Sequence, residues 1–140
     1  MYHKKNDILK NDWEEHMELK TYFESKKGFG VLSTAGMDGN VNAAIYARPH
    51  VMDDGSLAFI MRDRLSYKNV TSNPRATYLF REDGPGYHGK RFYLAKVREE
   101  DDADKISSLS RRTYPSEKDR RESKFLVYFK VERERPLVGN

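Results

Sequence analysis

Arg62, Arg64 and Lys68 place three cations within seven residues against one anion, Asp63, and Ser66 adds a hydroxyl among them. Guanidinium forks, a hydroxyl and the unpaired amides of a helix start are the groups that hold a phosphate dianion. Charge-assisted bonds of this kind contribute about 1.5–3 kcal/mol each, so three or four suffice to anchor a phosphorylated small molecule. By residue type alone, a solvated turn accounts for the same cations.

Other chemistries find few residues to carry them. Cysteine is absent, which removes disulfides, iron–sulfur clusters, thiolate zinc sites and thiol nucleophiles, and suits a cytoplasmic setting. His3, His16, His50 and His88 form no i, i+4 pair, so no metal site is expected. Neither a G-x-S-x-G elbow nor a P-loop is present, and Gly84-Pro85-Gly86 precedes a strand-like run rather than a helix. The acid pairs Glu14-Glu15 and Asp53-Asp54 fall at a helix start and in a turn, where solvation explains them. The net charge of +4 is C-terminal: residues 1–110 hold 17 Lys/Arg against 17 Asp/Glu, and 111–140 hold nine against five. Arg111-Arg112 and Lys118-Asp119-Arg120-Arg121 could meet a polyanion such as RNA, although interleaved acids weaken that footprint. No apolar run reaches about 18 residues, and no h-region follows the N-terminal charges, so neither export nor a membrane span is expected.

A chain of 140 residues makes a single domain with a sizeable core. The residues around the basic turn predict what must position it. A helix is expected over Trp13–Ser25, capped by Asp12 with Glu15 three residues on, its apolar face supplied by Trp13, Met17 and Phe23. From Phe29 the pattern changes to short β-rich runs divided by turns. Phe29–Ala35, Val41–Met52 and Ser56–Arg62 read as a meander, with Asp38-Gly39 and Asp54-Gly55 at its turns. Pro49 marks an edge, a bend or a bulge in the long second strand. A short helix capped near Ser66 and stopped at Asn73-Pro74 follows the basic turn. Strands are expected over Arg75–Arg81, Lys90–Arg98 and Lys124–Glu132, with a helix from Glu99 to about Arg112 ahead of the last one. Residues 133–140 read as a polar tail. Gly84–Gly89, with Tyr87 and His88, is either a lid or a plain hairpin connection. Six strands are best closed into a small barrel over residues 28–132, which removes unpaired edges.

The succession Gly28-Phe29-Gly30-Val31-Leu32-Ser33-Thr34, Asp38-Gly39 leading to Val41–Pro49, Leu57–Met61, and Leu65-Ser66-Tyr67-Lys68-Asn69-Val70-Thr71-Ser72-Asn73-Pro74 continuing to Phe80 resembles the pyridoxamine 5′-phosphate oxidase-related family of FMN-binding split barrels. The most telling piece is Asn-Val-x-x-Asn-Pro at 69–74. The resemblance implies a mainly β fold with flanking helices, a six-stranded antiparallel split β-barrel. It also implies a homodimer with FMN in grooves at the subunit interface. Carried onto this sequence, it assigns Arg64, Ser66 and Lys68 to the FMN phosphate with Arg62 as helper. Tyr46, Ala47 and Arg48 would flank the isoalloxazine ring, with Met61 near it and Arg48 lending positive charge. The implied activity is an oxidoreductase acting on a small molecule or redox partner, the flavin carrying the chemistry. The Arg-plus-Lys signature with which the oxidases proper hold substrate phosphate is not recognisable here, so the substrate stays open. A split barrel using haem or deazaflavin, and a cofactor-free barrel binding RNA through 111–124, are the alternatives.

Overall fold

The computed structural model describes residues 12–110 and 122–140 of the chain. Its elements are α1 (Asp12–Ser25), β1 (Gly28–Ala35), β2 (Val41–Tyr46), β3 (His50–Val51), β4 (Leu57–Arg62), α2 (Leu65–Ser72), β5 (Arg75–Glu82), β6 (Gly89–Glu100), α3 (Ala103–Leu109) and β7 (Lys124–Pro136). The strands form one antiparallel sheet in the order β2-β1-β5-β6-β7-β4-β3. Bulges in the β6–β7 ladder, after Tyr93 and after Lys96, help the sheet curl into a half-barrel.

Seven strands replace the expected six because the run 41–52 is cut at 47–49. Pro49 has no N–H to give a ladder, so β2 and β3 sit at opposite edges of the sheet. The barrel is therefore split rather than closed: β2 and β3 are adjacent in sequence but do not pair.

Alternation sends Leu57, Phe59 and Met61 of β4 into a core shared with Leu32, Tyr78, Phe80, Phe92, Leu94, Val127 and Phe129. Phe23 of α1 plugs this core, its ring 5.1 Å from Phe92 and 5.8 Å from Phe80. Trp13 and Met17, expected on the apolar face of α1, are exposed. The helix docks instead through its later turns, where Leu19, Tyr22 and Phe23 have the i, i+3, i+4 spacing of one face. On the outer side, Ala58, Leu126 and Tyr128 cluster with Ile106 of α3.

The acidic run starting at Glu99 does not begin a helix. Glu99 and Glu100 complete β6, because their carboxylates are bound by Lys96 and Tyr67, and by Arg98, Lys105 and Tyr128. The helix begins at Ala103, four residues after Glu99, where the Asp102 carboxylate accepts from the amides of Asp104 and Lys105. β7 runs four residues further than expected, so Arg133–Pro136 of the presumed tail pair with Lys90–Tyr93. Residues 111–121, including the expected end of that helix and most of the basic segment weighed for RNA, lie outside the described residues.

Candidate functional site: a groove along the split

The split opens as a groove of about 680 Å³. One wall is the edge strand β2 with Gly28–Gly30 of β1; the other is the outer face of β4, Ala58, Ile60 and Arg62; Arg64, Leu65 and Ser66 close one end. The volume lies within the roughly 300–1,000 Å³ of small-molecule sites.

Two glycines shape the first wall. A Cβ at Gly30 would sit 2.0 Å from the Tyr78 hydroxyl oxygen, which donates at 3.0 Å to the Tyr46 carbonyl. Only glycine lets Tyr78 cross beneath β1 and tie the end of β2. A Cβ at Gly28 would collide with the Arg81 carbonyl across the β1–β5 ladder. Tyr46 meets Phe59 edge-on at 5.9 Å, and burial pushes its hydroxyl pKa up against the opposing pull of Ser66, Arg64 and Arg62.

At the basic end the geometry is set by α2. Asn69 donates from its amide to the Thr34 hydroxyl at 3.0 Å, both side chains being buried, and Val70 enters the core. Tyr67 stacks on Phe125 at 4.2 Å with ring planes 4° apart, and its hydroxyl reaches Glu99. Burial and that carboxylate push the Tyr67 pKa up to about 12. The helix is thus fixed to β1 on one side and to β6 and β7 on the other. Its N-cap is Arg64, in extended conformation, rather than Ser66. Ser66 lies one position inside the first turn, buried, its hydroxyl accepting from the Asn42 amide at 3.2 Å.

Glu122, two residues before β7, occupies the arginine forks. Arg64 donates to it side-on, Nε to Oε2 at 2.7 Å and Nη2 to Oε1 at 2.9 Å, and Arg62 adds Nη1 to Oε1 at 3.0 Å. The Arg64 guanidinium, with Arg62 beside it, holds the Glu122 carboxyl below the usual carboxylate range. An anion with oxygens on the two guanidinia that border the groove is thus already in place. Such a donor set suits a phosphate equally.

Of the eight expected site residues, Tyr46, Ala47, Arg48, Arg62, Arg64 and Ser66 line this groove. Met61 does not: it is 0% exposed in the core, as its inward register two residues after Phe59 requires. Lys68 is exposed on α2 and does not line the groove either. Arg48 reaches the groove, but its guanidinium donates to the carbonyls of Phe23 and Lys26 at 2.9 Å each, capping the end of α1. Sequence reading missed Asn42, His50 and Glu122. Asn42 and His50 follow once the split is known, since they flank it; nothing local marks Glu122, 58 residues from Arg64. Gly84–Gly89 is a hairpin connection away from the groove, with Tyr87 against the Arg81 guanidinium and Arg81 bonded to the Gly86 carbonyl at 2.7 Å.

No family model and no curated protein matches the sequence. Solved structures do match. An FMN-binding protein from Syntrophomonas wolfei subsp. wolfei superposes with a TM-score of 0.72 at 15% identity, over 98% of this chain and 94% of that one. A candidate pyridoxamine 5′-phosphate oxidase from Listeria innocua gives 0.59 at 19% identity, over 87% and 97%. A heme-binding protein from Mycobacterium smegmatis gives 0.58 at 14% identity, over 87% of this chain and 53% of that one. No described helix is long and apolar enough to cross a membrane. The chain has the split-barrel fold of FMN-binding and pyridoxamine 5′-phosphate oxidase-like proteins.

Proposed function

We propose that this chain is an FMN-binding oxidoreductase acting on a small molecule or redox partner, and that it works as a homodimer. The observation that carries the reading is the meeting of the Arg62 and Arg64 guanidinia on one anion at the closed end of the groove. Those two side chains and the hydroxyl and first-turn amides at Ser66 would hold the phosphate. The aliphatic and aromatic wall of Ile45, Tyr46, Ala58 and Ile60 suits the flat ring. FMN, when bound, supplies hydride and electron transfer, which agrees with a groove whose described lining holds no carboxylate.

The dimer rests on a separate feature. On the outer face of β1 and β2, Val41 and Ile45 are 77% and 70% exposed, and Phe29 and Val31 continue the strip, Val31 lying opposite Ile45. Phe29 and Ile45 also border the groove, so a second copy over this strip would complete its outer wall.

The test is the absorption spectrum of the purified protein, mass spectrometry of what denaturation releases, and the thermal shift with added FMN. A flavin spectrum, or a melting temperature that rises with FMN, supports the reading. Colourless protein that neither releases flavin nor gains stability from it rejects it. Haem is the second reading, favoured by His50, which lines the same groove and carries an iron-ligating imidazole. A haem spectrum lost in His50→Ala would establish that alternative.

A further inference from the structure

We infer that Glu122 is an internal competitor for the anion site: it holds the Arg62 and Arg64 forks until a phosphate displaces it, and so sets the threshold that an incoming ligand must exceed. The inference rests on the reading that the groove takes the phosphate end of its ligand.

The occupant is tethered but its carboxylate is not trapped. The Asp63 amide donates to the Ser123 carbonyl at 3.2 Å, Lys124 Nζ donates to the Glu122 carbonyl at 3.1 Å, and Lys124 stands opposite Arg62 in the β4–β7 register. These contacts fix the backbone of the segment and leave the side-chain torsions to decide where the carboxylate lies. The Glu122 side chain is 22% exposed and reaches water when it leaves the forks, whereas Arg62, at 13%, stays half-buried, so the exchange of one anion for another is favoured over an open fork. Arg64, with 62% of its side chain exposed, is reachable from solvent in the same way.

Charge decides which ligand wins. The Glu122 carboxylate brings one negative charge and two acceptor oxygens to the two guanidinia. A phosphate monoester brings about −1.5 to −2 at neutral pH and three acceptor oxygens, and so answers both cations. A monoanion offers no more than Glu122 does, and it competes from solution with a group held at an effective concentration in the mM range or above. The apparent dissociation constant of any ligand that needs the forks is raised by the reciprocal of the fraction of time they stand open. A ligand that does not use the forks is unaffected.

Glu122→Gln keeps the shape of the occupant and removes its charge. Inorganic phosphate, FMN and riboflavin are titrated calorimetrically into the unsubstituted protein and into this variant. The expected result is that phosphate and FMN bind the variant about tenfold tighter, equivalent to forks open about one-tenth of the time, while riboflavin affinity is unchanged. Equal or weaker phosphate binding by the folded variant overturns the inference and makes Glu122 a group that positions the arginines. Should FMN bind both proteins equally, the inference fails and the flavin reading stands. Should FMN bind neither while phosphate gains the tenfold, the flavin reading fails and the inference stands. If the variant does not fold, the Arg64 Nε–H resonance of the unsubstituted protein serves: a shift on adding phosphate that tracks a shift of the Glu122 carboxylate supports displacement, and a Glu122 signal that stays fixed at saturation overturns it.

Discussion

Arg64 and Lys68 lie one helical turn apart, and the fold gives them different surroundings: Arg64 turns into the groove, whereas Lys68 stands on the solvent side of α2. Arg64→Ala is expected to weaken FMN binding about tenfold, near the lower end of the 1.5–3 kcal/mol for a charged hydrogen bond because the side chain is exposed. Lys68→Ala is expected to change it less than about twofold, with both variants melting as the parent does; equal losses in a fluorescence titration would return Lys68 to the site. Glu100 supplies a test in acid. It accepts from Arg98 at 2.6 Å, Tyr128 at 2.7 Å and Lys105 at 3.2 Å, and Arg98 foremost holds its pKa down to about 2. Since the folded value lies below the ordinary 4.5, this stabilisation is full above that pH and lost as the pH falls towards 2. Glu100→Gln should therefore melt below the parent at pH 7, with the gap closing on acidification; a gap independent of pH would contradict the assignment. At this scale the sequence was legible for position: Arg62, Arg64 and Ser66, neighbours in one turn, line the same groove. Met61 was legible in principle, since period-two alternation from Phe59 points it inward. Glu122 was not, because the β4–β7 ladder brings it to Arg64 across 58 positions.

Among the elements, α1 depends on a residue far from it in sequence. Arg48 donates to two carbonyls at its C-terminal end, where no basic residue of the last turn complements the helix dipole. Arg48→Ala is expected to lower the melting temperature, by about 1 kcal/mol in stability for the lost bonds, and to speed amide exchange at the end of α1. Unchanged exchange there would show that the clamp is dispensable. The strands were legible because turns bound them: β1, β4 and β5 match their expected spans to within one residue. Departures arose where partners outside the segment decided the outcome. Glu99 and Glu100 read as a helix start, yet pairing with Val127 and Leu126 of β7 and the hydroxyls of Tyr67 and Tyr128 keep them extended. Arg133–Pro136 read as tail, yet β6 is long enough to pair with them. Asn69 and Val70, which carried the family resemblance, turn out to fasten α2 to β1 and to the core.

For the whole molecule, the apolar strip of Phe29, Val31, Val41 and Ile45 predicts a solution mass of two chains rather than the 16.4 kDa of one. Ile45→Glu should shift the species to one chain in sedimentation while preserving its β-rich circular dichroism; a parent protein already monomeric at micromolar concentration would remove the dimer from the proposal. The cut in the barrel has a consequence for how such a protein can diversify. Its two rims are consecutive along the chain, joined only by Ala47, Arg48 and Pro49. Three residues span at most about 10 Å, and the proline ring removes one of their torsional freedoms. The mouth is therefore gauged by a covalent strut rather than by weak contacts. Adding or deleting a residue in that strut is the most economical way to fit a bulkier or slimmer guest, whereas length changes in the β5–β6 connection would leave the aperture as it is.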